Sequence, residues 1–224
     1  MARITKFFNV SRFPVDDHVL TIEIEDGSLL QEQLRYVADN DSSAVSPQVE
    51  IPGFTIYRTG AVVKSHRYQT TMGDPRAAAG SSTTYSRFRF GIWLNRTNLD
   101  FYFKVFLGLI ASVVIALLAF FVKPARMDAR FAVGVGAFFG AVANTVATAS
   151  LVPDTSTFTL TDMVIAAGLV TIFLTMVEST ICLHMYHTRG EESLAPQLLD
   201  KASFVVFLVA YVTINVAIVR VAML

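Results

Sequence analysis

One carboxylate and one aromatic ring, on an otherwise slim helix face, carry the most suggestive chemistry in this sequence. Asp128, Ala132, Gly136, Phe139, Ala143, Val146 and Ser150 follow one another at intervals of four, four, three, four, three and four residues. That spacing puts them on one side of an α-helix. If several copies pack around an axis with this side inward, the small residues leave a water-wide lumen. Phe139 then forms an apolar constriction that closes by dewetting, and Asp128 forms an acidic ring at one mouth. The chemistry would be the selection and passage of ions, with no covalent step. The same residues admit another use: Gly136 and Gly140 have the small-xxx-small spacing by which membrane helices pack closely, leaving the helix simply buried among neighbours. Spacing alone leaves both readings open.

The element that positions these residues is long enough for either. Residues 131–152 hold no formal charge, and at ~1.5 Å per residue they make about 33 Å of helix, the thickness of a hydrocarbon core. The segment is rich in Gly and Ala, carries Asn144, Thr145 and Thr148, and has no Ile and no Leu before Leu151. Such a helix prefers protein or water to lipid.

Composition points to a membrane protein independently. The mean hydropathy is +0.51. Charged residues make up only 16% of the chain and lie mostly outside four apolar blocks. A net charge of zero gives no sign of a nucleic-acid partner. The one cysteine, Cys182, sits inside an apolar block, so an intrachain disulfide is excluded. No nucleophile motif, phosphate loop or clustered metal ligands appears, and the expectation is a non-enzyme without cofactor or bound metal.

The four blocks predict membrane helices over about residues 101–122, 131–152, 162–185 and 203–224, forming a helical domain over 99–224. Lys104 lies near enough to the start of the first to snorkel. Glu178 is the one charge within the third beyond its opening Asp162 and, given the cost of burying an acid in lipid, is expected to face protein or water near the membrane interface. His184 and His187, three apart at that helix's end, lack a third metal ligand nearby. Basic residues gather in the first connection (Lys123, Arg126, Arg130) and the last (Arg189, Lys201), with none in 153–161. The positive-inside rule therefore places both chain termini outside and Asp128 at the cytoplasmic mouth of a multi-pass cell-membrane protein.

Residues 1–98 differ in kind. Leu20 to Glu25 alternates apolar and polar residues and ends at Asp26-Gly27, a turn dipeptide. Further β-type runs are Phe54 to Tyr57, Ala61 to Lys64 and Tyr85 to Leu94, which predicts four or five antiparallel strands with surface loops at residues 39–47 and 70–84. An exported sheet domain needs a signal peptide. None is visible before the first strand, so the expectation is a chain truncated at its N-terminus.

Lys6-Phe-Phe-Asn-Val-Ser-Arg-Phe13-Pro14-Val15-Asp16-Asp-His18-Val-Leu20 resembles the signature loop of the pentameric ligand-gated ion channels, the Cys-loop receptor superfamily. Phe13, Pro14 and Asp16 match its Phe-Pro-x-Asp core. Lys6 and Leu20 stand where the cysteines would be, as in the prokaryotic branch that lacks the disulfide, and His18 replaces the usual Gln. In order along the chain, Arg96 resembles the arginine closing the extracellular domain. Arg130 resembles the basic residue at the base of the pore helix, Pro153 with Asp162 the step to the next helix, and Glu178 a late acidic position. Gly108 stands where the family usually has proline.

The resemblance implies a partial extracellular β-sandwich, its C-terminal half, followed by a four-helix transmembrane bundle. It further implies a homo-oligomer, a pentamer, in membrane lipid that passes ions; in such a ring, by the stripe's own residues, Asp128 would favour cations and Phe139 would be the gate. Phe13, Pro14, Asp16, Arg96 and Pro153 would couple the sheet domain to the pore, with Asp16 paired to Arg96. The agonist, a small molecule or a proton, is not specified. Because half of the sandwich is lacking, the competing expectation is a non-conducting receptor or an assembly subunit.

Overall fold

The structure is a computed structural model that describes residues 9–69, 82–96, 99–151, 157–189 and 194–223. Among them are three strands and four long helices, which divide into two units. One unit is the sheet, residues 17–96; the other joins residues 9–16 to the helices.

The sheet comprises β1 (Asp17–Glu25), β2 (Thr55–Tyr68) and β3 (Thr83–Asn95), all antiparallel, in the order β1-β3-β2. Its period-two alternation is realised in the register. Leu20, Ile22 and Ile24 oppose Ile92, Phe90 and Phe88, while Glu23 and Glu25 oppose Arg89 and Arg87. One face is thus apolar and the other charged. Asp26 ends β1 by accepting hydrogen bonds from the Ser28 and Leu29 amides at 2.8 and 2.7 Å. The segment that follows is tied back to the sheet where Ser86 Oγ accepts from the Tyr36 amide and Asn40 Oδ1 from that of Ala61.

The runs expected as separate strands at Phe54 to Tyr57 and Ala61 to Lys64 form one strand, β2. Gly60 and Gly91 pair across it, and the Trp93 ring crosses both: an added Cβ at Gly91 would sit 3.0 Å from the indole, and one at Gly60 3.7 Å. Gly60 therefore admits a ring, and the strand runs on through the gap between the two expected runs. An irregularity at Tyr57, between the paired residues Ile56 and Arg58, breaks the register.

In the second unit, α1 (Leu99–Leu118) tightens into a 3-10 turn at Ala119–Phe121, followed by α2 (Met127–Ala149), α3 (Leu160–Arg189) and α4 (Ala195–Met223). All four are long and apolar enough to cross a membrane, which identifies a multi-pass membrane protein. α3 opens on a capping box: the Asp162 carboxylate accepts from the Thr159 amide at 2.8 Å, and the Thr159 hydroxyl from the Asp162 amide. α4 starts eight residues earlier than the apolar block predicts, at Ala195, with Pro196 in a first turn that needs no amide donor from it. The core lies around α1, where Phe106, Leu109 and Val113 meet Ala137 and Ala141 of α2 and Val164 and Ile172 of α3.

Candidate functional site: the outward face of α2

α2 is held by the face opposite the slim stripe. Its buried residues are Arg130, Gly134, Ala137, Ala141 and Thr148, at helical spacing on one side. Asp128, Ala132, Gly136, Phe139, Ala143, Val146 and Ser150 are all exposed in the single chain. Phe139 is 64% exposed and Val146 68%, so none of the other three helices covers the stripe.

The glycines separate the two uses that spacing left open. An added Cβ at Gly140 would lie 2.6 Å from Ser112 Oγ, and one at Gly108 would lie 2.6 Å from Asn144 Oδ1. Gly108, Ser112, Gly140 and Asn144 thus form the small-residue contact between α1 and α2, and close packing explains why position 108 is Gly. Gly136 has nothing within 4 Å. The polar residues of α2 are satisfied within the helix: Thr145 donates to the Ala141 carbonyl, Asn144 to Thr148 Oγ1 and Ser150 to the Ala147 carbonyl. Their polarity alone does not call for water.

A buried ion pair sets the rotation of α2. Arg130, 1% exposed, donates from Nη1 to Asp200 Oδ1 at 2.9 Å, from Nη2 to Asp200 Oδ2 at 2.6 Å, and from Nε to the Val122 carbonyl at 2.8 Å. That carbonyl sits just past the 3-10 turn, where no helical donor reaches it. At about 100° per residue, Asp128 stands two positions and roughly 200° from Arg130. Fixing Arg130 inward therefore turns Asp128 outward. Asp128 is also in the first helical turn, where the helix dipole favours a negative charge.

Glu178 faces protein, 6% exposed, beside this pair. One ligand atom each from Glu178, Cys182 and Asp200 lie within 4.8 Å of one another. Both Asp200 oxygens are already held by Arg130 and the Cys182 thiol points to the Pro196 carbonyl at 3.6 Å, so a metal would compete with a guanidinium. His184 and His187 are exposed at the end of α3. By composition Asp200 falls in the polar connection before the fourth apolar block, whereas the structure places it in α4. The available signal was helical spacing: Asp200, Phe204, Phe207 and Tyr211 form one stripe, buried or partly buried throughout.

Residues 9–16 pack on the helices. Phe13, Pro14 and Asp16 are buried, and the Phe13–Pro14 peptide is cis. The Phe13 ring meets Phe101 edge-on at 5.8 Å. The Phe13 carbonyl accepts from the Thr161 hydroxyl at 3.0 Å, and the Ser11 carbonyl accepts from the Leu160 amide at 2.9 Å. The loop thus sits on the first turn of α3. Pro153, assigned to coupling, lies outside the described residues. Within the sheet unit, Arg96 lies over the Phe54 ring at 4.3 Å.

The charged sheet face holds a second cluster. Arg87 donates to Glu25 at 2.7 Å, Glu23 at 3.1 Å and the Tyr68 hydroxyl at 2.9 Å, and it also meets His66 Nδ1. Burial would raise the Glu25 carboxyl, but hydrogen bonds from Arg87 and Tyr68 and the charge of Arg87 outweigh it and hold the group below its ordinary value. No protein-family model and no curated protein matches the chain.

Proposed function

We propose that the chain is a subunit of a pentameric ligand-gated ion channel, with α2 lining the pore. The observation that carries this reading is the division of α2 into a buried face anchored by Arg130 and an unpartnered slim face from Asp128 to Ser150. Copies arranged around an axis would cover that face with water and one another. The exposed apolar residues Val135, Phe138 and Val142 suit the flanks between neighbours. Asp128 would favour cations at one mouth, and Phe139 would be the gate.

The loop at residues 9–16 supports the gated form of this reading. It belongs to the helical unit and runs directly into β1, and on this reading it would carry a movement of the sheet to the start of α3. Phe13, Pro14, Asp16, Arg96 and Pro153 are the coupling residues on this account. The sandwich is part of the same proposal. Ile22 and Ile24, 40% and 48% exposed on the apolar sheet face, are where a second sheet would pack.

Native mass measurement of the chain purified in detergent, followed by bilayer recording, tests the proposal. A closed ring of five that conducts cations, with selectivity reversed or abolished by Asp128→Lys, is the expected result. A monomer or dimer without conductance would overturn it.

A further inference from the structure

At the end of the bundle where α1 leads into α2, a cavity of about 680 Å³ opens between residues 120–125, the end of α3 and the first turns of α4. Its volume lies within the range of about 300–1,000 Å³ common to ligand sites. The lining is of two kinds. Phe121 and Phe204, with ring centroids 5.0 Å apart, and Val205 form an apolar wall, while Lys123 and Lys201 line the same cavity. Asp200 also lines it, but that carboxylate is compensated by Arg130. Among the described residues, neither lysine takes part in an ion pair.

We infer that this cavity binds an anionic phospholipid, with the headgroup phosphate between Lys123 and Lys201 and acyl chain against Phe121, Phe204 and Val205. The membrane boundary places the lipid here: the apolar span that contains α1 ends at Phe121, so Lys123 is the first charge beyond the hydrocarbon. A water-soluble phosphate would satisfy the lysines and leave the aromatic wall wet. A neutral lipid would cover the wall and leave two ammonium groups uncompensated. An anionic lipid does both, as expected of basic pockets between membrane helices. The inference rests on the chain crossing a membrane and is independent of whether α2 conducts ions.

The full chain, purified in detergent, would be titrated with phosphatidylglycerol and with phosphatidylcholine, and retained lipid counted by native mass measurement. Preferential retention of phosphatidylglycerol is expected, weakened about fivefold for each lysine removed in Lys123→Gln and Lys201→Gln and restored in Lys123→Arg/Lys201→Arg. Equal retention of both lipids, or an unchanged preference in the double Gln variant, would overturn the proposal. Displacement of the lipid by millimolar inorganic phosphate would reassign the site to a soluble anion and overturn it too. On the unmodified chain, photoactivatable phosphatidylglycerol should cross-link within residues 120–125 or 201–205. Labelling confined to other segments would overturn the site even if the variants fail to fold.

Discussion

Arg130 of α2 and Asp200 of α4 meet through two hydrogen bonds, one to each carboxylate oxygen, 2.9 and 2.6 Å long, with the arginine side chain fully excluded from solvent and the aspartate 6% exposed. The pair joins residues 70 positions apart. It is also what holds the exposed stripe of α2 in its orientation. Buried pairs of this kind gain little over an apolar replacement, yet breaking one leaves a charge without compensation.

Asp200→Ala is therefore expected to destabilise the helical unit by about 3–5 kcal/mol, and Arg130→Met/Asp200→Leu by much less. Thermal unfolding in detergent, followed by helical circular dichroism, measures both. If the double variant loses as much as the sum of the single ones, the two side chains are not coupled, and something else sets the rotation of α2.

The two glycines of α2 make a sharper contrast, because they differ in what an added methyl would meet. Gly140→Ala would place a carbon 2.6 Å from Ser112 Oγ, overpacking that costs about 1–3 kcal/mol. Gly136→Ala enters open space and should cost no stability, alanine being favoured over glycine in a helix interior by about 0.5–1 kcal/mol. On the proposed pore axis, however, the methyl at 136 narrows the lumen. A Gly136→Ala channel with normal stability and reduced single-channel conductance is the expected outcome. Unchanged conductance would move Gly136 off the axis.

Why some of this was legible in the sequence and some was not comes down to the range of the interactions. The spans follow from local apolar runs, and the outward face of α2 from residues three and four apart. The alternation of β1 is likewise local. The continuity of β2 through Gly60 is not legible locally, because the ring that this glycine accommodates, Trp93, belongs to another strand. Asp200 looks like part of a polar connection because its partner, Arg130, is distant in the chain, and only the stripe it shares with Phe204, Phe207 and Tyr211 hints at burial. That Glu178 faces protein or water follows from the cost of an acid in lipid, and it does face protein, but which neighbours enclose it is a matter of distant residues such as Asp200.

The sheet should carry its own acid sensitivity. Glu25 has a carboxyl held below its ordinary value of 4.5. A group with a depressed native value contributes stability above the unfolded value and loses it as pH falls through the native one. The sheet is thus expected to weaken below about pH 4.5, and Glu25→Gln to flatten that dependence while lowering stability near neutral pH. Trp93, the one tryptophan, lies in β3 and reports it by fluorescence. A Glu25→Gln protein that titrates as the unmodified one does would show that the Arg87 contact is not the cause.

Phe139 offers the most direct test of the gate, because its neighbour Phe138 supplies an internal control. Both rings are exposed in the single chain, 64% and 43%, but one residue along a helix turns the side chain by about 100°, so only one of them can point along the proposed axis. A closed apolar ring excludes water because hydrating it is unfavourable, and a hydroxyl at that position removes the barrier. Phe139→Ser is expected to raise resting current at least about tenfold without agonist, whereas Phe139→Leu, still apolar, stays within about twofold. Phe138→Ser should leave resting current near that of the unmodified channel. If Phe138→Ser leaks and Phe139→Ser does not, the pore face is rotated by one residue and passes through Val135, Phe138 and Val142 instead.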